Sequence, residues 1–126
     1  MTDEHPEVSP LAKSVIADRY ATIHEDGRTL VRGLGDRVLP AISFLKESIK
    51  VGMIPQDVVE TIMATYHLDP DGWWVDYHFF WGMSIRNLLR EGGYGEKQLG
   101  VENLDDIYVV LLERALGLED ESGPVK

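Results

Sequence analysis

Proline and glycine cut this chain into short stretches, and most of those stretches carry their apolar residues at helical spacing. Ser9-Pro10 is a helix-start signal, a capping hydroxyl followed by proline at a first helical position. Leu11, Val15, Ile16, Tyr20 and Ile23 follow, predicting a helix from Pro10 to Glu25 that Asp26-Gly27 ends. Pro40 opens a second, with a stripe of Ile42, Leu45 and Ile49, Lys46 and Lys50 on another side, and Gly52 at its close. Pro55 takes the first helical position of a third, whose stripe is Val58, Val59, Ile62, Met63 and Tyr66. After His67-Leu68, the run Asp69-Pro70-Asp71-Gly72 is turn chemistry. A fourth helix is expected from near Val75 or Asp76 to Arg90, stopped by Gly92-Gly93 and Gly95, with one short turn over Glu96–Leu99. Asn103 then caps a last helix, with Asp105 and Asp106 in its first turn, Arg114 near its end and Gly117 just beyond, so both poles carry charges that suit the helix dipole. Its expected buried face is Leu104, Ile107, Tyr108, Leu111, Leu112 and Ala115. The pattern predicts an all-α, compact bundle of about five helices.

The stretch 28–39 reads two ways. Gly27, Gly33 and Gly35 weaken a helix there. Thr29-Leu30-Val31 and Arg37-Val38-Leu39 on either side of Gly33-Leu34-Gly35-Asp36 would make a short β-hairpin. An isolated two-stranded hairpin is weak by itself, which favours a short broken helix.

With 126 residues, 44% of them hydrophobic, the chain builds one core. The expected organisation is a single helical domain over 9–118, between polar acidic tails at 1–8 and 119–126 that read as disordered. The formal net charge is −10, and about half of the excess falls in those tails, leaving 16 acids against 11 bases in the body. That balance repels phosphate backbones and anionic membranes at long range. There is no cysteine, which excludes disulfides and thiolate metal sites. No apolar segment follows a basic start, and no apolar run approaches the ~18 residues of a membrane span, so a cytoplasmic protein is expected.

The densest segment is Tyr77-His78-Phe79-Phe80-Trp81-Gly82-Met83-Ser84-Ile85-Arg86-Asn87, followed by a glycine-rich turn, Leu99-Gly100 and Asn103-Leu104-Asp105-Asp106-Ile107. Over residues 77–116 the chain resembles a family of small bacterial and phage-associated domains of unknown function. Their shared pattern is His-Phe, a glycine four residues after that histidine, Ile-Arg-Asn, and a later Asp-Asp pair opening the last helix. The resemblance implies a small helical domain with a structural core motif and no particular reaction.

Read as residues, His78, Gly82, Ile85 and Leu89 fall on one stripe of a continuous helix. A mid-helix glycine costs about 1 kcal/mol relative to alanine, so Gly82 predicts close approach of another helix or of a ring, with Trp74, Trp81 and Tyr108 available. Arg86 is expected to reach Asp105 or Asp106 and tie two helices together, and Asn87 to satisfy backbone in the Gly92–Gly95 turn. The functional alternative displays Arg86 and Asn87 in a pocket for a ligand anion.

His67, Asp69, Asp71, Asp76 and His78 lie within twelve residues, which makes a metal site chemically conceivable. The Asp-x-Asp-Gly here places its glycine too early for a calcium loop and lacks the closing glutamate, and a turn with Asx bonds is the simpler reading. Trp73, Trp74 and Trp81 are expected mainly in the core. Adjacent Trp73 and Trp74 must point different ways, so one of them with Phe80 is a candidate partner-binding patch. Arg28, Arg32 and Arg37 are expected to pair with Asp26 and Asp36, or alternatively to contact an acidic partner. No serine has a nucleophile-elbow context, and Gly33-Leu34-Gly35-Asp36 lacks the residues of a phosphate loop. The resulting expectation is a non-enzymatic protein-interaction module of regulatory, immunity or phage-accessory type. It would bind a protein partner and need no cofactor, and a homodimer is open to it. The alternatives are a small metal-dependent hydrolase using the His67/Asp69/Asp71/Asp76/His78 cluster and an acidic nucleic-acid mimic.

Overall fold

A computed structural model describes residues 10–78 and 80–118. The readings of both tails, and of Phe79 in the His-Phe pattern, lie outside the described residues. The described residues form six α-helices in order: α1 (Pro10–Leu34), α2 (Leu39–Lys50), α3 (Gln56–Leu68), α4 (Trp81–Glu91), α5 (Glu96–Leu99) and α6 (Tyr108–Ala115). Short 3-10 turns cover Gly35–Val38, Val75–Tyr77 and Leu104–Asp106. No strand occurs among the described residues.

The first correction concerns α1, which does not stop at Asp26-Gly27 but runs on to Leu34. Gly27 serves packing instead. A Cβ built there would sit 2.6 Å from the carbonyl oxygen of Asp106. The true break is Gly35, whose φ of +59° puts the chain in the left-handed region where glycine is at ease. From there a single 3-10 turn leads straight into α2, so the hairpin over 28–39 is absent. Val31 and Val38 are fully buried, and these helical contacts replace a pairing that would have stood alone.

On α2 the buried residues are Ala41, Ile42, Leu45 and Ser48, the serine satisfied by donating to Phe44 O at 2.8 Å. Pro55 is the N-cap of α3 and not its first residue. Val59 and Ile62 are the buried residues of α3. The turn after α3 is closed by Asp69, whose Oδ1 accepts from Gly72 N, three residues on, at 3.1 Å.

The second correction falls on the aromatic segment. In place of one helix from Val75 to Arg90, a 3-10 turn ends at Tyr77, and Phe80, at φ −110° and ψ −110°, breaks the helical path before α4 begins. His78 therefore lies outside the helix that carries Gly82, Ile85 and Leu89.

The closing segment differs too. Asn103 caps the 3-10 turn Leu104–Asp106, its Oδ1 accepting from Asp105 N at 3.0 Å, and α6 starts later, at Tyr108. Every residue from Ile107 to Arg114 is buried, where the spacing had predicted a single buried face. A helix apolar nearly all round belongs in the centre of a core, and α6 packs against α1, α2 and α4. Each fully buried leucine or valine on it contributes roughly 1.5–3 kcal/mol. Among the described residues no helix is long and apolar enough to cross a membrane.

Two glycines of α1 separate packing from propensity. Gly27→Ala drives a methyl into the Asp106 carbonyl and is expected to destabilise the fold by about 1–3 kcal/mol. Gly33→Ala meets nothing within 4 Å and is expected to add up to about 1 kcal/mol through helix propensity. Urea denaturation of both variants checks this, and equal effects of the two would contradict the assigned role of Gly27.

Candidate functional site

Because α6 is buried on every side, its polar groups need partners from the elements around it. Two clusters supply them. At its N-terminal end, Tyr108 OH lies 3.0 Å from His78 Nδ1. Arg86, only 6% exposed, enters from α4. Its Nε pairs with Asp105 Oδ1 at 2.9 Å, and its Nη1 reaches His78 O at 3.3 Å and His78 Nδ1 at 3.1 Å. Its guanidinium carbon sits 4.9 Å from the centre of the Tyr108 ring, a cation–π distance. Asp106 makes no such contact with Arg86.

A guanidinium only donates, so His78 Nδ1 is the acceptor and the proton of the neutral ring sits on Nε2. That nitrogen lies 3.8 Å from Asp105 Oδ2. Burial, and next the Arg86 charge, hold the His78 pKa below its ordinary value against the opposing pull of Asp105. Burial pushes the Tyr108 phenol up to about 12 despite the guanidinium beside it. The glycine at 82 is explained by the same cluster: a Cβ there would fall 2.5 Å from Tyr108 OH and 3.0 Å from Tyr77 O. Of the three rings available, Tyr108 is the one that approaches.

The second cluster was not foreseen. Glu113, fully buried on α6, faces His24 Nε2 at 2.9 and 3.0 Å and accepts from Trp73 Nε1 at 2.8 Å. His24 Nδ1 lies 3.4 Å from Asp71 Oδ1 without the alignment of a hydrogen bond. One carboxylate thus joins α1, the turn after α3 and α6. The signal was legible in principle: Glu113 follows an apolar run from Ile107 to Leu112, where a charge needs a specific partner.

The other singled-out residues divide between expectation and correction. Trp73 is 3% exposed and spent on Glu113, so it is no surface anchor. Trp74 is partly buried, edge-on to Tyr20 at 5.9 Å, with its Nε1 donating to Asp71 O at 2.9 Å. Trp81 is partly buried and stacks on Tyr77 at 4.3 Å. Phe80 is 70% exposed. Asn87 does not serve the glycine turn; it is exposed and accepts from Arg90 Nη1 at 2.9 Å. Arg28 and Arg32 pair with Glu25 and not with Asp26 or Asp36, because Glu25 lies one turn and two turns before them on the same uninterrupted helix. Arg37 packs against Gly100. The acidic segment is divided among separate tasks: Asp69 in its turn, Asp71 beside His24 and Arg28, His78 on Arg86. No group of three or more His, Cys, Asp or Glu side chains among the described residues is arranged to hold a metal.

The outer side of α4 is different in kind. Trp81, Ser84, Ile85 and Leu88 face Met53, Ile54, Pro55 and Val58 of the α2–α3 turn across a groove of about 290 Å³, with Asn87 and Glu91 along it. Met53 is 59% exposed there. Comparison with known family models, with curated proteins and with solved structures finds no match.

Lysine has no second arm with which to span Asp105 and His78 together, so Arg86→Lys is expected to lose about 1–3 kcal/mol of stability in chemical denaturation. A cost within 0.3 kcal/mol of zero would contradict the cross-link. The pH dependence follows from His78. Its folded pKa is depressed, so the unfolded chain binds the proton more readily, and its contribution is present above about 6.5 and lost as pH falls below that. Stability is expected to fall as pH drops below about 6.5, and His78→Gln to flatten that fall. Glu96, held at about 2 chiefly by its hydrogen bond from Arg90, loses its contribution only in a more acidic window, below about 4.5.

Proposed function

We propose that this chain is a non-enzymatic protein-interaction module that receives a protein partner in the groove between α4 and the α2–α3 turn. The observation that carries the reading is the groove itself: an open channel of about 290 Å³ with an aliphatic and tryptophan floor on the surface of the helical domain. Water leaves such a surface at a gain of roughly 25 cal/mol for each Å² covered. Contiguous apolar patches on soluble domains mark interaction sites more often than isolated exposed residues do. Trp81 and Met53 supply what binding surfaces favour, a large ring held in place by Tyr77 and a flexible thioether that adapts to its occupant. Phe80, at the entrance to α4, adds an exposed ring next in the chain to this floor.

The polar clusters around α6 lend themselves to a structural role. Arg86 has its donors turned inward, and Tyr108 and Glu113 are closed off from solvent, so neither cluster offers a substrate a free nucleophile or a poised base. An interaction module needs only a surface, and the groove provides one without disturbing the core.

The reading is tested by co-purification from cells of the source organism. Ser84 is exposed and lines the groove, so Ser84→Arg obstructs it without touching the core. A protein captured by the wild type is expected to be lost with Ser84→Arg and kept with Ala64→Arg, which alters the exposed outer side of α3. Capture that is indifferent to Ser84→Arg would remove the groove as the binding surface.

A further inference from the structure

Resting on that reading, we infer that the occupant of the groove is a basic amphipathic α-helix of the partner protein. Two lines of observation, one about backbone and one about charge, lead to this class of ligand.

The backbone constrains the partner's conformation. A β-extended peptide laid in an apolar channel satisfies its N–H and C=O groups against an exposed strand edge, whereas a polyproline-type peptide leaves them to water. No strand exists among the described residues, so the groove has no edge to offer. A helix satisfies its own backbone and presents only side chains. The groove suits that shape: one wall is the stripe Trp81, Ile85 and Leu88 of α4, the other is Met53 and Val58. Residues spaced i, i+3 or i+4 and i+7 on a partner helix interdigitate with such walls. The eleven residues of α4 extend about 16 Å, room for about three turns of a partner.

Charge sets the partner's sign. Both cations of α4 are already committed, Arg86 to Asp105, and Arg90 to Glu96 through two contacts of 3.1 and 2.7 Å and to the lining residue Asn87 at 2.9 Å. Glu91 is the single ionisable residue lining the groove, and it makes no ion pair among the described residues. It also closes α4, where the helix dipole already leaves partial negative charge, so carboxylate and dipole add at that end. Asp57 and Glu60, on either side of the lining residue Val58 along α3, are exposed, and neither forms an ion pair among the described residues. Lys50 ends α2 but does not line the groove. A channel with an apolar floor and an acidic end, on a chain of net charge −10, selects lysine- or arginine-bearing helices and repels acidic ones.

The experiment titrates the full-length protein with three synthetic peptides of about sixteen residues, read by Trp81 fluorescence and calorimetry. The first has a leucine stripe at helical spacing with lysines on its flanks. The second carries glutamates in place of the lysines, and the third is proline-rich and extended. The lysine peptide is expected to bind in the micromolar range. Its affinity should fall at least tenfold with Ser84→Arg, fall several-fold with Glu91→Lys, and weaken with added salt. Equal or tighter binding of the glutamate peptide would overturn the basic assignment, and Ser84-sensitive binding of the proline-rich peptide would overturn the helical one. No Ser84-sensitive binding of any peptide up to about 1 mM would also overturn the inference. So would a concentration-dependent dimer in sedimentation that Ser84→Arg dissociates, because a second copy would then be the occupant. None of these outcomes touches the co-purification experiment. A Ser84-dependent partner captured from cells leaves the broader reading standing when the peptide result fails, and its absence removes that reading whatever the peptides do.

Discussion

A helix with no exposed face still carries polar atoms, and the arrangement of this domain follows from that constraint. Burying α6 from Ile107 to Arg114 gives the core its centre. It also takes the Tyr108 hydroxyl and the Glu113 carboxylate away from water, at a cost of several kcal/mol for an uncompensated charge. Each then recruits partners from elsewhere. Glu113 takes His24 from α1 and Trp73 from the turn after α3, and Tyr108 takes His78, with Arg86 of α4 beside it. Elements distant in sequence are fixed around one helix by the need to satisfy it. Shape-tolerant apolar packing alone would leave their relative positions less uniquely defined.

Those polar contacts demand close approach, and two glycines provide it. Gly82 lets Tyr108 OH sit where a Cβ would otherwise lie, and Gly27 lets α1 close on the Asp106 carbonyl. Gly27 lies inside α1 and Gly82 in the first turn of α4, positions where propensity argues for alanine. At each the local loss is offset by contact with the segment that leads into α6 or with α6 itself. The two glycines therefore belong to the same constraint as the buried clusters, one on each side of the central helix.

How much of this was legible depends on which force decided each feature. Helices α2 and α3 rest on clean apolar stripes with proline near the start and glycine or turn residues after the end, so local sequence named them. Gly82 and Arg86 were readable because each is expensive where it sits: a glycine inside a helix and a cation on an apolar stripe both call for a specific neighbour. Tertiary contact decided the rest. The same rule that flagged Gly82 misassigned Gly27 as a helix end, since a packing glycine and a terminating glycine look alike until the neighbour is known. The break at Phe80 carries no proline or glycine to announce it, and so His78 was placed on a helix it does not join. Glu113 was overlooked because the final stripe was read as one face of a surface helix, although Val109 and Val110 on its other sides argue for burial all round.

The division of α4 links fold to function. One side of this helix, with Gly82, Arg86 and Leu89, faces inward and belongs to the central cluster, while the other, with Trp81, Ser84 and Leu88, lines the groove. The inward side consumes Arg86 on Asp105, and Arg90 at the helix end is consumed by Glu96. With Arg86 held inward on Asp105 and Arg90 held at the surface by Glu96 and Asn87, Glu91 is the charged side chain that lines the groove. A cation presented from outside would then meet a carboxylate that the fold has no cation left on α4 to balance.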